Sequence, residues 1–369
     1  MSVSETTPAY RTSRLNDGSL EAMASGRSRL ASWIGSLRYL DLPLILAMIA
    51  LTTFGLWVLF GTVHESPWLL RSADRQITWF GIALCGMALT LVLDYNWLSK
   101  LAPYAYAANL GLLGVVLFAG TEVNGSTSWF RLGPIGFQPS ETMKIVTVMM
   151  VARWYSLRPE GVNRVRDLIV PGLLCAMPMG LVVLQPDLGS ACMFGVIFGA
   201  TLYWAGVKRW ILGGLFVGGA VGAACAYPFI GSYAQKRLLT FIDPYHDPTG
   251  ASYNLIQSLT AVGNGGLMGE GWGQGTQGLH RWLPEAHTDF IFASAVEQTG
   301  FIGMLLILGL YAVLFWRILE TVGVARDRFG GILAIGLGSI LAGHVFINMA
   351  MNIGLFPITG LPLPFFCFF

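Results

Sequence analysis

Long apolar runs separated by short polar clusters set the plan of this chain. The runs fall near residues 40–63, 77–93, 103–120, 141–157, 168–184, 189–205, 211–227, 290–316 and 330–354. Each approaches or exceeds the roughly 20 residues that a helix needs to cross a bilayer. In hydrocarbon every backbone N–H and C=O must be satisfied inside the segment, so the pattern predicts about nine spanning helices. The expected fold is an all-α polytopic membrane bundle. Residues 1–37 stand apart: they are polar, carry Arg11, Arg14, Arg27 and Arg29, and have no apolar core. They predict a disordered tail and not a secretory signal, leaving 38–369 as the membrane domain.

Composition removes the soluble alternatives. The chain is 54% hydrophobic and 11% charged, with a mean hydropathy of +0.61, far from the balance of a water-soluble domain. Basic residues in the connections set an orientation. With a cytoplasmic tail, Lys100, Arg153, Arg158, Arg164, Arg166, Lys208, Arg209, Arg317, Arg326 and Arg328 are cytoplasmic too. The opposite side keeps Arg71, Arg75, Arg131, Lys144, Lys236, Arg237 and Arg281, a minority that topology does not explain. The five cysteines lie in or beside apolar runs without CxxC spacing, which supports neither a disulfide framework nor a thiolate metal site. Nothing in the charge pattern suggests nucleic acid.

Residues 228–289 form a long external loop between the seventh and eighth spans, with glycine at nearly every second or third position from Gly263 to Gly278. A loop of this length is functional or disordered. Its glycines permit close backbone approach to a large ligand, or mere flexibility. The loop ends in Trp282-Leu283-Pro284-Glu285-Ala286-His287-Thr288-Asp289-Phe290-Ile291-Phe292, which sets three ionisable side chains at the start of an apolar run. Asp289 is thereby expected at a membrane boundary, where it stays ionised beside a lipid-linked substrate; starting the helix is the simpler role. Glu297 follows on nearly the same helical face, pointing into the bundle or a wet cavity. His344, Asn348 and Asn352 recur every four residues and form one polar stripe on an apolar helix. The stripe offers Asn348 as a partner for Glu297 and reads as interhelical hydrogen bonding or as the lining of a cavity.

Five motifs occur in an order that resembles the SEDS family: Asn124-Gly125-Ser126-Thr127-Ser128-Trp129-Phe130; Phe137-Gln138-Pro139-Ser140-Glu141 with Lys144; Gln185-Pro186-Asp187-Leu188-Gly189; Asp243-Pro244 with Asp247-Pro248; and Pro284 to Phe290. The resemblance spans residue 40 to the C-terminus. Within the family, Gly265 to Gln277 and Gly354 to Pro364 are more similar to the elongation branch, RodA, than to the division branch, FtsW.

The resemblance implies a SEDS-type bundle and a peptidoglycan glycosyltransferase that polymerises lipid II on the outer face of the bacterial inner membrane. Its partners would be a class B penicillin-binding transpeptidase and other elongation-complex membrane proteins. A β-1,4 link made from an α-linked pyrophosphate donor requires inversion, so one carboxylate suffices as base. Asp289 falls on the family's catalytic aspartate. Arg75 and Lys144 are the external bases placed for the leaving pyrophosphate, Lys144 within a span where a charge needs a partner or ligand. The alternative for Lys144 is an ion pair with Glu141 or Asp187. Asp187 follows Pro186 at a helix start, so capping competes with orienting Lys144 or holding a divalent cation such as Mg2+ or Mn2+. Glu285, His287 and Glu297 complete the substrate-binding candidates.

The family's chains continue past Leu363-Pro364-Phe365 into a serine-tyrosine-glycine-glycine-serine turn and a tenth span, whereas this sequence reaches Phe369. That final helix is expected to be absent here. Two other functions compete, a lipid II flippase and a non-catalytic scaffold. A flippase has little use for a base at the external boundary, and a transporter should show interrupted helices in matching halves, which the pattern does not reveal.

Overall fold

The computed structural model describes residues 40–367 except 64–66, 92–93, 124–125, 133–134, 159–164, 230–231, 246, 249, 251, 277–281 and 284–285. The tail at 1–37, Asn124, Gly125, Arg164, Arg281 and Glu285 lie outside the described residues. In chain order the elements are α1 (Leu42–Val63), α2 (Pro67–Thr90), α3 (Asn96–Ala119), β1 (Thr121–Val123), β2 (Ser126–Leu132), β3 (Ile135–Phe137) and α4 (Pro139–Ser156). There follow α5 (Ile169–Leu184), α6 (Leu188–Trp204), α7 (Arg209–Ala226), α8 (Ser232–Ile242), α9 (Tyr253–Asn264), α10 (Ile291–Gly323) and α11 (Arg328–Asn352).

Each apolar run has become a helix, in a mostly helical, multi-pass membrane bundle. Among the described residues five helices are long and apolar enough to cross a membrane: α1, α3, the segment Arg166–Leu184 containing α5, α10 and α11. The helix α6 and the Arg209–Gly222 part of α7 are apolar but shorter. In α2 the charges of Arg71, Asp74 and Arg75, and in α4 those of Glu141, Lys144 and Arg153, lower the apolar content.

Three features depart from the sequence reading. The bundle is not purely α-helical, because β1, β2 and β3 form an antiparallel meander in that order. Its Ser-Thr-Ser-Trp-Phe-Arg-Leu strand mixes β-branched and aromatic residues with polar ones, which suits a half-buried pleated surface. Thr121 pairs with Trp129 and Phe130 with Phe137, and Ser126 Oγ donates to Gln185 O at 2.6 Å, tying the sheet to the end of α5. Secondly, α2 begins at Pro67 and not near residue 77. Proline tolerates the first helical turn, where its missing N–H has no partner to lose, and the charged residues that follow hide the start from an apolar count.

Thirdly, the segment 228–289 is not one irregular loop. It contains α8 and α9, and its glycines dock on α10. That helix is interrupted at Gly300, whose φ of 70° and ψ of −164° only glycine adopts readily. The interruption frees backbone groups that must be satisfied elsewhere. The glycine segment supplies the partners: Glu270 N donates to Glu297 O at 2.9 Å, Gly271 N to Gln298 O at 3.2 Å, and Phe301 N to Gly266 O at 3.0 Å. A Cβ at Gly269 would lie 2.2 Å from Gln298 O, so the contact requires a residue without one. An interrupted helix therefore exists where the sequence pattern showed a continuous run, and the glycine spacing serves a backbone-to-backbone seam.

Packing places α11 at the centre, against α4, α6 and α10, with α1 on the outer side of α10. Glycines let the helices close: a Cβ at Gly336 would sit 2.4 Å from Val148 Cγ1, and one at Gly343 2.7 Å from Met193 Cε. Two apolar cores result. One fills the space among α3, α4, α5 and α6, and the other joins α1, α10, α11 and residues 363–367.

Candidate active site

One end of the bundle collects the starts of α4, α6 and α10 and the end of α11, and the predicted polar residues gather there. Asp289 sits in a turn just before α10, half-buried together with His287 and Thr288. Ala286 and Phe290 flank these three and are buried against Ala261, Leu283 and Ala293. Apolar anchors on both sides thus hold a short polar turn at the surface of the core.

The carbonyl of Asp289 lies one residue before the helix cap, Phe290, and so has no donor within the helix. The stripe on α11 supplies it. Asn348 Nδ2 donates to Asp289 O at 2.9 Å and to Leu361 O at 2.8 Å; Asn352 Nδ2 donates to Asp289 O at 3.2 Å and to Asn348 O at 2.8 Å. Asn352 Oδ1 in turn accepts from Ala293 N at 3.2 Å, in the first turn of α10. The cap that α10 lacks in its own sequence therefore comes from a helix later in the chain. His344, Asn348 and Asn352 are all buried, so the stripe faces protein along its length. Both Nδ2 protons of Asn348 are spent on carbonyls, and the expected pairing with Glu297 does not form.

The same stripe reaches Lys144. Lys144 is fully buried, with Nζ 2.8 Å from Glu141 Oε1 and 2.8 Å from His344 Nε2. An ammonium can only donate, so Nε2 is the acceptor and the proton of the neutral ring sits on Nδ1, which points at Pro362 O, 3.3 Å away. The ion-pair arrangement anticipated for Lys144 is the one observed, with Glu141 as partner. Asp187 serves elsewhere: its Oδ1 accepts from Ser190 N at 3.0 Å, capping α6, and its Oδ2 from Gln138 Nε2 at 3.0 Å.

Glu297 is buried under the glycine segment, where Thr276 Oγ1 lies 3.4 Å from Oε1 and a Cβ at Gly275 would fall 2.6 Å from Oε2. Arg75 is exposed on α2 and makes no hydrogen bond or ion pair among the described residues. The structure thus joins Asp289, Asn348, Asn352, His344, Lys144 and Glu141 along the α11 stripe and the 361–362 carbonyls, and among the described residues gives Asp187 and Arg75 no hydrogen bond to them. Among the described residues no three His, Cys, Asp or Glu side chains are grouped to hold a metal ion.

Two participants escaped the sequence reading as site residues. Thr359 to Pro362 runs between the elements: Gly360, at φ of +72°, brings its backbone to Asp289, such that a Cβ there would be 3.4 Å from Oδ2. Leu361 and Pro362 supply the carbonyls that Asn348 and His344 bond, and Thr359 packs on Gly189 at the start of α6. A glycine between Thr359 and Leu361 was the available signal. Gln138, directly before Pro139, is the other, orienting the Asp187 carboxylate.

A multi-pass membrane bundle that gathers Asp289 and the buried Lys144–Glu141 pair along one polar stripe of α11 is the class of protein the fold defines. The sequence profile of the FtsW/RodA/SpoVE family, described as a cell cycle protein family, matches residues 38–368, and the chain belongs to that family. The chain is 34% identical over 335 residues to the peptidoglycan glycosyltransferase MrdB of Escherichia coli K12, covering 88% of this chain and 87% of that one. It is also 34% identical over 343 residues to the probable peptidoglycan glycosyltransferase FtsW of Trichlorobacter lovleyi, with 88% and 87% covered. Among solved structures it is similar to a chain of a peptidoglycan synthase complex that coordinates polymerization and crosslinking, with a TM-score of 0.76 at 30% identity over 89% of this chain and 92% of that one. It is similar, too, to the rod shape determining protein RodA of Thermus thermophilus, with a TM-score of 0.65, 29% identity and 89% and 90% covered.

Proposed function

We propose that this protein polymerises lipid II into β-1,4-linked glycan during cell elongation, with inversion and release of undecaprenyl pyrophosphate, and that Asp289 is the general base. The protein is a peptidoglycan glycosyltransferase, as its relatives are. The observation that carries the reading is the Asp289 turn: a half-buried carboxylate whose backbone is fixed by two asparagines of α11. A base must be held within reach of the acceptor hydroxyl, and a rigid turn meets that demand.

His287, in the same half-buried turn as Asp289, is the group we assign to substrate recognition; Arg75, on α2, and Glu285 are assigned to the same role from the family resemblance alone. Lys144 offsets developing negative charge from within the protein; Asp187 and Glu297 support the walls. The pyrophosphate leaving group would accept a divalent cation such as Mg2+ or Mn2+ from solution. We place about nine spans in the membrane, the N-terminus in the cytoplasm and the site outside. Arg153, Arg158, Arg317 and Arg328, whose hydrogen bonds and ring contact join helix ends away from Asp289, support this orientation. A class B penicillin-binding transpeptidase is the implied partner, since the similar synthase complex couples polymerization to crosslinking. The equal identity to an FtsW favours a second reading, the division-specific polymerase. Restoration of rod shape against restoration of septation in depleted cells separates the two.

Purified protein supplied with fluorescent lipid II tests the chemistry. Asp289→Asn keeps the shape of the side chain but cannot take the proton, and should lose about 100-fold or more of the polymerisation rate. Full turnover by that variant removes Asp289 from the role of base. A wild-type protein that moves lipid II across vesicles without polymerising it would instead support a flippase.

A further inference from the structure

We propose that Asn348 is a positioning residue for the reaction, acting on the Asp289 carboxylate through the backbone; the proposal rests on Asp289 being the base. Asn348 is fully buried, and its amide nitrogen bridges two carbonyls from separate parts of the chain, Asp289 O at 2.9 Å and Leu361 O at 2.8 Å. The residue before Leu361 is Gly360, whose Cα faces the Asp289 carboxylate. One planar amide therefore fixes both the turn that carries the carboxylate and the segment that forms the wall beside it.

Geometry singles out Asn348 from its neighbours on the stripe. Asn352 bonds the Asp289 turn and the first turn of α10 but not the 359–362 segment, while His344 bonds Pro362 O but not the turn. Only Asn348 spans the two. An asparagine amide offers two N–H donors at a fixed angle, which two converging carbonyls need. Removing it takes the donor from Leu361 O, leaves Asp289 O to the longer bond from Asn352 at 3.2 Å, and lets the turn and the wall drift apart. Displacement of a reacting group by about 1 Å can cost on the order of 100-fold in rate.

The test uses the purified full chain in lipid nanodiscs with fluorescent lipid II, comparing Asn348→Leu (no donor), Asn348→Ser (one donor) and Asp289→Asn. The expected result is graded: kcat falls about 10- to 100-fold in Asn348→Leu and by an intermediate amount in Asn348→Ser, with KM within about twofold of wild type in both. A thermal melt of each variant records folding. If Asn348→Leu does not fold, Asn348→Ser carries the test alone, through a fall in kcat at constant KM. The proposal is overturned if every folded Asn348 variant retains wild-type kcat, if KM rises while kcat holds, or if the loss follows side-chain volume and not donor number. Should Asp289→Asn keep full turnover, the underlying assignment of the base fails, an outcome distinct from an active Asn348→Leu alongside an inactive Asp289→Asn.

Discussion

Lys144 shows how a single residue can be legible in its chemistry and illegible in its setting. Its spacing from Glu141 implied an i to i+3 pair, and that pair forms at 2.8 Å. The second partner, His344, lies 200 residues further on and no local pattern announces it. Losing one partner of a buried charge pair leaves the other uncompensated. Glu141→Ala should therefore destabilise the protein by about 1–3 kcal/mol, below the cost of a fully buried pair because Glu141 is 32% exposed. Replacing both groups, as Glu141→Leu with Lys144→Met, should restore the melting temperature without restoring glycan synthesis. Melting curves and lipid II polymerisation on the same preparations check both statements. A double variant as unstable as Glu141→Ala would count against it.

Elements divide in the same way. Apolar runs of the right length became helices, because the demand for internal hydrogen bonds in hydrocarbon leaves few alternatives. The four-residue spacing of His344, Asn348 and Asn352 gave a stripe that is buried as a whole. What composition could not reveal is where a run stops being helical. Gly300 sits in a sequence indistinguishable from its helical surroundings, and its φ of 70° makes sense only once the 265–276 segment is seated against it. The meander at 121–137 was missed for a related reason: its strands are short, and pairing between them, not periodicity, defines them. Gly300→Ala should lower stability by about 1–3 kcal/mol from backbone strain alone, and more from overlap, since the added Cβ would lie 2.3 Å from Gly269 N. Gly309→Ala, in the same helix with nothing within 4 Å of the added atom, should be neutral or slightly stabilising. Hydrogen exchange at Glu270, Gly271 and Phe301 should accelerate in the first variant and not in the second. Equal protection in both would mean that the seam does not depend on the break.

Across the whole molecule, the two apolar cores share α11, which contributes residues to both, and the charged contacts at the far end contribute little by comparison. Arg317 reaches Asp41 at 2.9 Å and joins α10 to the start of α1, but the side chains are 30% and 23% exposed. Pairs of that exposure are worth about 0–1 kcal/mol. Asp41→Ala should shift the melting temperature only slightly. Gly343→Leu, which drives a side chain into Met193 at the α6 contact, should instead lose several kcal/mol and disturb the site end of the bundle. Thermal melts in one detergent rank the two; an equal effect would show that packing around α11 is looser than the close approach implies.

The bond from Asn348 to Asp289 crosses 59 positions of sequence, and this has a meaning in time as well as in space. A membrane chain is threaded into the bilayer from its N-terminus, so the turn bearing Asp289 enters before the helix that will hold it. Until α11 has inserted and the 359–362 segment has folded back over Gly189, the carbonyl at 289 lacks its two asparagine donors and the carboxylate lacks the Gly360 wall. If Asp289 is the base, the site is therefore incomplete until α11 and residues 359–362 have joined the turn, however early the turn itself enters the bilayer.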